Sequence, residues 1–407
     1  MKYISGPYTQ GQLLKEIHEI EIALTNRFEV GGVITDATEQ RSWRERVEEA
    51  SFGRNTVLFD DQGNPSVMVV IPMMLQSDLL SGAPTSAHPA FIVNGNIKSK
   101  LYISKYQCFT TGSGSTLRAI SLKHRDPSTY ITFDNSILAC NQKGNGWHLM
   151  TNAEWAALAL WCKKNGFMPR GNNYYGKDVG VNSEKGVVSY FYNPTTVGRV
   201  LTGSGPLPWT HDGTPFGIYD LNGNVWEWVG GLRLNIGEIQ ILEDNNAADG
   251  TKDQSASSTE WKAILQDGSL VDPGTADTLK IDSPVAGDGV DANNLGAPKF
   301  NTVIANSMNP GDTASNAYLD YCNSSFESLV AESGVTIPNL LKLLGIAPID
   351  SSHGGDGIWV RNYGERTAVR GGNFPYGGSA GVFALILNNH RTNSYNNLGF
   401  RAAFVNL

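Results

Sequence analysis

The sequence predicts an α+β protein rich in loops and short strands, and three observations carry that expectation. Two segments pair a helix-start signature with an apolar stripe. One segment reads as a β-hairpin, and 45 glycines accompany only 17% charged residues. Many glycines with few charges point to ordered turns and short strands, and away from disorder or long helical bundles. At 407 residues the chain exceeds one compact core, so two or three domains are expected.

Thr9-Gln10-Gly11-Gln12 has the form of a capping box, and Leu13, Ile17, Ile20 and Leu24 follow at four-three-four spacing. This predicts a helix over 10–28. Its stripe spans about two heptads, which suits either packing on its own domain or seeding self-association. Asn55–Phe59 and Pro65–Ile71 are β-rich runs around the Gly-containing turn 60–64, which reads as a hairpin. Residues 72–89, rich in Ser, Gly and Pro, read as a linker. A boundary near 88 would separate an anchoring or oligomerising region, 1–88, from a domain over 89–407.

Strands such as Lys100–Gln107 precede a second helix, in which Thr151 and Glu154 form a capping box. Trp155, Leu158, Ala159 and Cys162 fall on one face, and Gly166 closes it. Residues 232–357 are dominated by Asp, Asn, Gly and Ser. Long insertions cost little loop-closure entropy, so this stretch is expected to decorate the fold. Its Asp244–Gly250 run lacks the glycine placement and twelfth-position acid of a calcium loop.

A formal charge of -8 and a pI near 5.4 provide no basic footprint for nucleic acid or an anionic membrane. No stretch approaches the ~18–20 apolar residues of a membrane span, and the first residues lack the apolar region of a secretory signal. Cytoplasmic synthesis is the expectation. Cys108, Cys140, Cys162 and Cys322 are too far apart for a zinc site or a dense disulfide scaffold, and read as buried free thiols.

The C-terminal residues 361–407 set a cluster of Asn, Tyr, Ser, Thr and His inside a frame of Arg, Gly and apolar strand residues. Tyr gives contact area at low entropy cost and Ser, Gly and Asn give adaptable hydrogen bonds, the composition of a binding surface. In extended chain Trp226, Glu227 and Trp228 alternate faces. A buried Glu227 needs a partner, for which Arg370, Arg401 or a metal ion would serve.

Gly217-Ile218-Tyr219-Asp220-Leu221-Asn222-Gly223-Asn224-Val225-Trp226-Glu227-Trp228 resembles a segment of formylglycine-generating-enzyme-type (sulfatase-modifying factor) domains, a branch of the C-type lectin fold. Arg370-Gly371-Gly372 and Leu398-Gly399-Phe400-Arg401 resemble that branch's closing frame, and Trp147–Trp155 extends the similarity over about 90–407. The resemblance implies a C-type lectin fold with the insertion 232–357. It also implies a structural calcium near Asn222, Gly223, Val225 and Glu227. The oxidase that names the branch relies on a cysteine pair between the two frame motifs, and residues 373–397 contain no Cys. Without thiolates that chemistry does not proceed, so the chain is not expected to be an enzyme.

The same stretch resembles the variable region of diversity-generating retroelement target proteins, which share this fold. In that family adenine-directed mutagenesis rewrites Asn-type codons into Tyr, His, Ser, Thr, Asp, Gly or Ile on a fixed scaffold. Six Asn stand between 373 and 397 beside such residues. The resemblance implies ligand-contact positions at Asn373, Pro375, Tyr376, Gly378, Ser379, Ile386, Asn388, His390, Thr392, Tyr395 and Asn396, within the variable region 361–407. Ile386 suits a strand core equally well. Phe374, Phe383, Leu385, Phe400 and Phe404 read as scaffold. The implied role is that of a phage tail adhesin, located on the virion, that binds a bacterial surface receptor, protein or glycan. A homo-oligomer, such as a trimer, would raise avidity. A variable protein on a bacterial cell surface is the alternative, and no membrane insertion or nucleic acid is implied.

Overall fold

A computed structural model describes residues 10–407. Thr9 of the first capping box lies outside the described residues. The first helix, Gln10–Gly31, outlasts the expected 10–28 by three residues. A second, Ala37–Ala50, follows, started by the Asp36 carboxylate accepting from Glu39 N. The apolar stripe of the first helix packs on the chain itself. Ile17 and Leu24 are buried with Val57, Val67, Tyr106 and Phe109, and Leu13 and Ile20 lie against the same cluster. Glu21, also buried, takes 2.7 Å from Lys105 Nζ and 2.6 Å from Tyr106 Oη, which locks the helix down. The stripe therefore packs on the chain's own core.

The hairpin forms as expected, Asn55–Phe59 against Pro65–Pro72. Its second strand pairs with Lys100–Ser104, which pairs with Ala402–Phe404, which pairs with Trp147–Leu149. One five-stranded sheet thus joins the N-terminal hairpin, the start of the following domain and the C-terminus. The expected boundary near 88 does not interrupt this sheet. Residues 72–89 are likewise not a free linker. Leu80 and Ala83 pack on Leu343, and buried His88 hydrogen-bonds Leu343 O at 2.9 Å while Ala90 N donates to its Nδ1. Small and polar composition here marks a packed turn, fixed by partners about 250 residues away that composition does not reveal.

The second helix read from the sequence spans Asn152–Lys164, with both capping-box bonds present, Glu154 N to Thr151 Oγ1 and Thr151 N to Glu154 Oε2. Trp155, Leu158, Ala159 and Cys162 are buried, and all four cysteines are free and buried.

A twelve-stranded sheet forms the second layer, with the path Cys322–Ser325, Gly357–Val360, Gly381–Asn389, Glu365–Gly371, Trp226–Asn235, Glu238–Leu242, Lys280–Asp282, Lys299–Asn301 and Val330–Ala331. Seven of these nine strands start or lie within 232–357 or extend into it. Leu279, Ile281, Phe300, Cys322, Leu341 and Leu344 join the main core. The insertion does not merely decorate: short apolar islands, each too brief to read as a strand alone, close the core together.

Between the layers lies a buried ion pair. Arg401 Nε and Nη2 meet the two oxygens of Glu227 at 3.0 and 2.8 Å, and its remaining donors reach Ser104 O and Tyr219 O. Arg401 is thus the partner of Glu227. Arg370 instead binds Asn152 Oδ1 and Gly345 O.

Replacing one member of a buried pair strands the other. Arg401→Met should lower unfolding free energy by about 3–5 kcal/mol in denaturant melts, and pairing it with Glu227→Leu should recover much of the loss. Burial holds His88 down to about 4. The native state then binds fewer protons than the unfolded chain between pH 6.5 and 4, so this contribution is complete above pH 6.5 and is lost as pH falls. The protection factors of amides 74–91, taken relative to the intrinsic exchange rate at each pH, should fall on acidification through that window.

Candidate binding surface

The strand Gly381–Asn389 runs parallel to Gly357–Val360 on one side and antiparallel to Glu365–Gly371 on the other. Leu398–Phe400 then runs parallel to Trp226–Trp228. The segment between the two frame motifs is therefore a central strand with a turn at each end.

Its entry demands glycine. Gly371 and Gly372 have φ of 91° and 83°, and a Cβ on Gly372 would lie 2.3 Å from Ala380 Cβ. The expected scaffold residues Phe374, Phe383, Leu385 and Phe400 are buried, and Phe404 packs edge-on to Trp147 and Tyr102.

Tyr376, Ile386 and Tyr395 gather on one cluster with Trp226 and Trp359. The rings of Trp226, Trp359 and Tyr376 meet edge-on with centroids 5.1–5.7 Å apart. Asn388 follows Ile386 on the same strand face and is half-buried. At the far end of the strand, His390 Nδ1 lies 2.9 Å from Thr392 Oγ1, and Thr392 is exposed. At the near end, Gly378 is exposed, with Pro375 and Ser379 half-buried. Asn396 Nδ2 reaches Tyr190 Oη at 3.3 Å.

Two expected contact positions are not on the surface. Ile386 is 5% exposed, because its side chain completes the floor beneath the aromatic rings. Asn373 is fully buried, and among the described residues neither of its amide atoms has a hydrogen-bond partner. Its place directly after Gly372 draws it under the turn, and only its carbonyl is used, by Tyr376 N.

The surrounding structure grips this segment largely by its backbone. Tyr175 N donates to Phe374 O, Gly377 N to Asn173 O, Tyr130 N to Tyr395 O and Trp226 N to Asn397 O. Arg199 and Arg361 donate to Asn396 O and Asn388 O. Side chains at these positions can change while the supporting bonds persist. Burial raises the Tyr376 and Tyr395 phenols and lowers the His390 imidazole, so all three are neutral near pH 7. The one cation of the segment, Arg391, is neutralised by Glu365 and Asp134.

Aromatic neighbours outside the segment complete the surface, and the motif reading did not reach them. Tyr318 hydrogen-bonds Tyr395 through their hydroxyls, and Arg361 lies over the Tyr318 ring. Tyr175 and Tyr192 rest on Phe374 with centroids 6.2 and 5.7 Å away. The run Tyr190-Phe191-Tyr192 inside a polar, turn-rich stretch was the available signal.

Residues 85–233 match the family model described as sulfatase-modifying factor enzyme 1-like domain. The match ends where the insertion begins. Solved structures similar to the chain include Treponema denticola variable protein 1, at 12% identity over 86% of this chain and 98% of that one, TM-score 0.31. The Major Tropism Determinant P3c and U1 variants are 10% and 11% identical over 86% of this chain and 71% of theirs, with TM-scores of 0.28 and 0.26. No curated protein matches the chain. The domain match and the paired frame motifs give a C-type lectin fold of the formylglycine-generating type, and the C-terminal segment resembles retroelement variable regions.

The calcium implied at Asn222, Gly223, Val225 and Glu227 does not fit this arrangement. The carbonyls of Asp220, Gly223 and Val225 and Glu227 Oε1 converge instead on Gln107 Nε2, at 3.2, 3.4, 3.2 and 2.9 Å. Asn224 Nδ2 donates to Gln107 Oε1, which fixes the amide's orientation. Asn222 turns away, donating to Pro169 O. An amide N–H₂ holds the carbonyl nest, and Arg401 takes the carboxylate. Adding a chelator should leave the melting temperature unchanged, while Gln107→Leu, which orphans these buried acceptors, should cost about 1–3 kcal/mol in unfolding melts.

Proposed function

We propose that this chain is a ligand-recognition protein whose C-terminal face is diversified by a retroelement, and that it serves as a receptor-binding adhesin of a phage tail. The observation that carries the proposal is the mode of support. The segment 373–397 is clamped at both ends by buried arginines and held between them through carbonyls and amides, which do not depend on side-chain identity. A surface built this way tolerates exchange of its partly exposed side chains at small cost.

Recognition, not transformation, suits the groups present. His390 bonds only to residues of its own turn, Thr392 and Asn393, and the carboxylates of Glu365 and Asp134 bond to Arg391. The thiols Cys108, Cys140 and Cys162 lie fully buried, with burial raising each pKa. Tyr376 and Tyr395, rigid and amphipathic, are the anchors a ligand would meet, and Ser379, Asn388, Thr392 and Asn396 supply adjustable hydrogen bonds. The ligand is a component of a bacterial surface.

Sequencing sibling clones tests this reading. Changes should gather at Tyr376, Ser379, Asn388, His390, Thr392, Tyr395 and Asn396, and spare Phe374, Phe383, Leu385 and Phe400. Changes spread evenly over the chain would refute it. In the purified protein, Asn388→Ala and Thr392→Ala should shift stability by no more than about 0.5 kcal/mol, whereas Phe383→Ala should cost about 3–5 kcal/mol.

A further inference from the structure

Beside the variable segment stands an excursion that the proposed function has not used. Residues 172–197 leave the core at Asn172 and return at Gly198. Along the way they expose Tyr174, Tyr175, Phe191 and Tyr192 at 36–54%, together with Val179, Val187 and Val188. Large rings left this open on a loop need a reason, because a contiguous apolar patch marks an interaction site.

The excursion is not a loose flap. Asn172 Nδ2 donates to Gly198 O and Asn224 Oδ1, and the Asp178 carboxylate accepts from Gly180 N and Val181 N. Phe191–Asn193 and Thr196–Val197 pair as a short ribbon, and Asn193 Oδ1 accepts from Thr195 N and Thr196 N to close its turn. The ribbon is also docked to the variable segment, through Tyr192 on Phe374 and Tyr190 against Asn396. Tyr175 and Tyr192 are held against the segment through Phe374, and Tyr174 and Phe191 stand exposed next to them along the chain.

Ion pairs take up part of the charge around them, and the half-buried Lys177 and exposed Lys185 keep theirs. Arg170 pairs with Glu184 and Arg199 with Asp126, while Lys177 lies over the Tyr174 ring. Among the described residues of the ribbon, only Lys185 is an exposed charge without an ion partner. The variable side chains next to it are neutral amides, hydroxyls and phenols.

We propose that the ribbon 172–197 is a fixed aromatic arm of the binding face, and that the face takes a neutral glycan chain. This rests on the reading of 373–397 as the diversified contact segment. Sugar rings present C–H-lined faces that pack on aromatic rings, and those faces persist when linkage or hydroxyl pattern changes. A constant aromatic arm then grips the shared feature, while the variable Asn, Ser and Thr side chains read the hydroxyl pattern. A protein epitope changes its apolar outline together with its polar pattern, and would give a fixed arm nothing constant to hold.

An array of neutral bacterial oligosaccharides, their sialylated and phosphorylated counterparts, and unglycosylated peptides tests the proposal with the full chain. The wild-type protein should bind a subset of the neutral sugars. Phe191→Ala with Tyr192→Ala should weaken every bound sugar at least about tenfold, the loss typical of a removed aromatic anchor. Asn388→Ala with Thr392→Ala should instead change which sugars are bound. Melting curves check that each variant folds, and Phe191→Ala alone, whose ring stacks on no other, provides a second variant. Binding confined to anionic sugars or to peptides, no binding to any sugar, or an arm variant that matches the wild type would overturn the proposal. If the arm variant loses binding while the Asn388 and Thr392 variant keeps the wild-type profile, the arm stands and the diversified reading of 373–397 fails. The reverse pattern sinks the arm and leaves that reading in place.

Discussion

The structure depends on how Arg401 meets Glu227 between the two sheets. A guanidinium and a carboxylate withdrawn from water are tolerable only when every donor and acceptor is matched. Here Ser104 O, Tyr219 O and Gln107 Nε2 complete the set. Through these bonds the last strand, the strand Lys100–Ser104 and the Gly217–Trp228 segment become one unit. The position of Arg401 also fixes where the variable segment ends, since Leu398–Phe400 pairs with Trp226–Trp228 three residues earlier. Arg370 does the same at the start, using Asn152 and Gly345. The segment between them is free to differ because nothing in either clamp involves its side chains.

Legibility followed the range of the interactions. Thr151 with Glu154 is local, and a capping box can be read wherever its partners stand three residues apart. The hairpin 55–72 is local too. The need of Glu227 for a cation could be read from its setting between two tryptophans, and two arginines and a metal were open. Only the fold chose Arg401 and set Gln107 where a metal ion would sit.

What failed to show was nonlocal. The stripe Leu13, Ile17, Ile20 and Leu24 declares a buried face but not what covers it, and the cover is the chain's own Val57, Val67 and Phe109. Residues 72–89 and 232–357 read as linker and ornament because their apolar residues come in twos and threes. Lys280–Asp282, Lys299–Asn301 and Val330–Ala331 become strands only by lying beside one another. For Asn373 and Ile386 the family pattern gives the position but not the depth. Ile386 alternates into the floor of the aromatic cluster, and Asn373 is folded under by the two positive-φ glycines before it.

The buried floor and the rim explain each other. A segment proposed to accept many side chains at its surface positions cannot rely on those positions for stability, so the energy has to come from its buried ones. Phe374, Phe383, Leu385 and Phe400, each worth roughly 1.5–3 kcal/mol when fully buried, supply it. Much of the charge near the segment is paired, Arg391 with Glu365 and Asp134 and Arg199 with Asp126, while buried Arg361 is spent on the carbonyls of Leu319 and Asn388. The rings of the ribbon 172–197 lie outside 373–397, so on the proposed reading specificity could be rewritten while part of the grip stays constant.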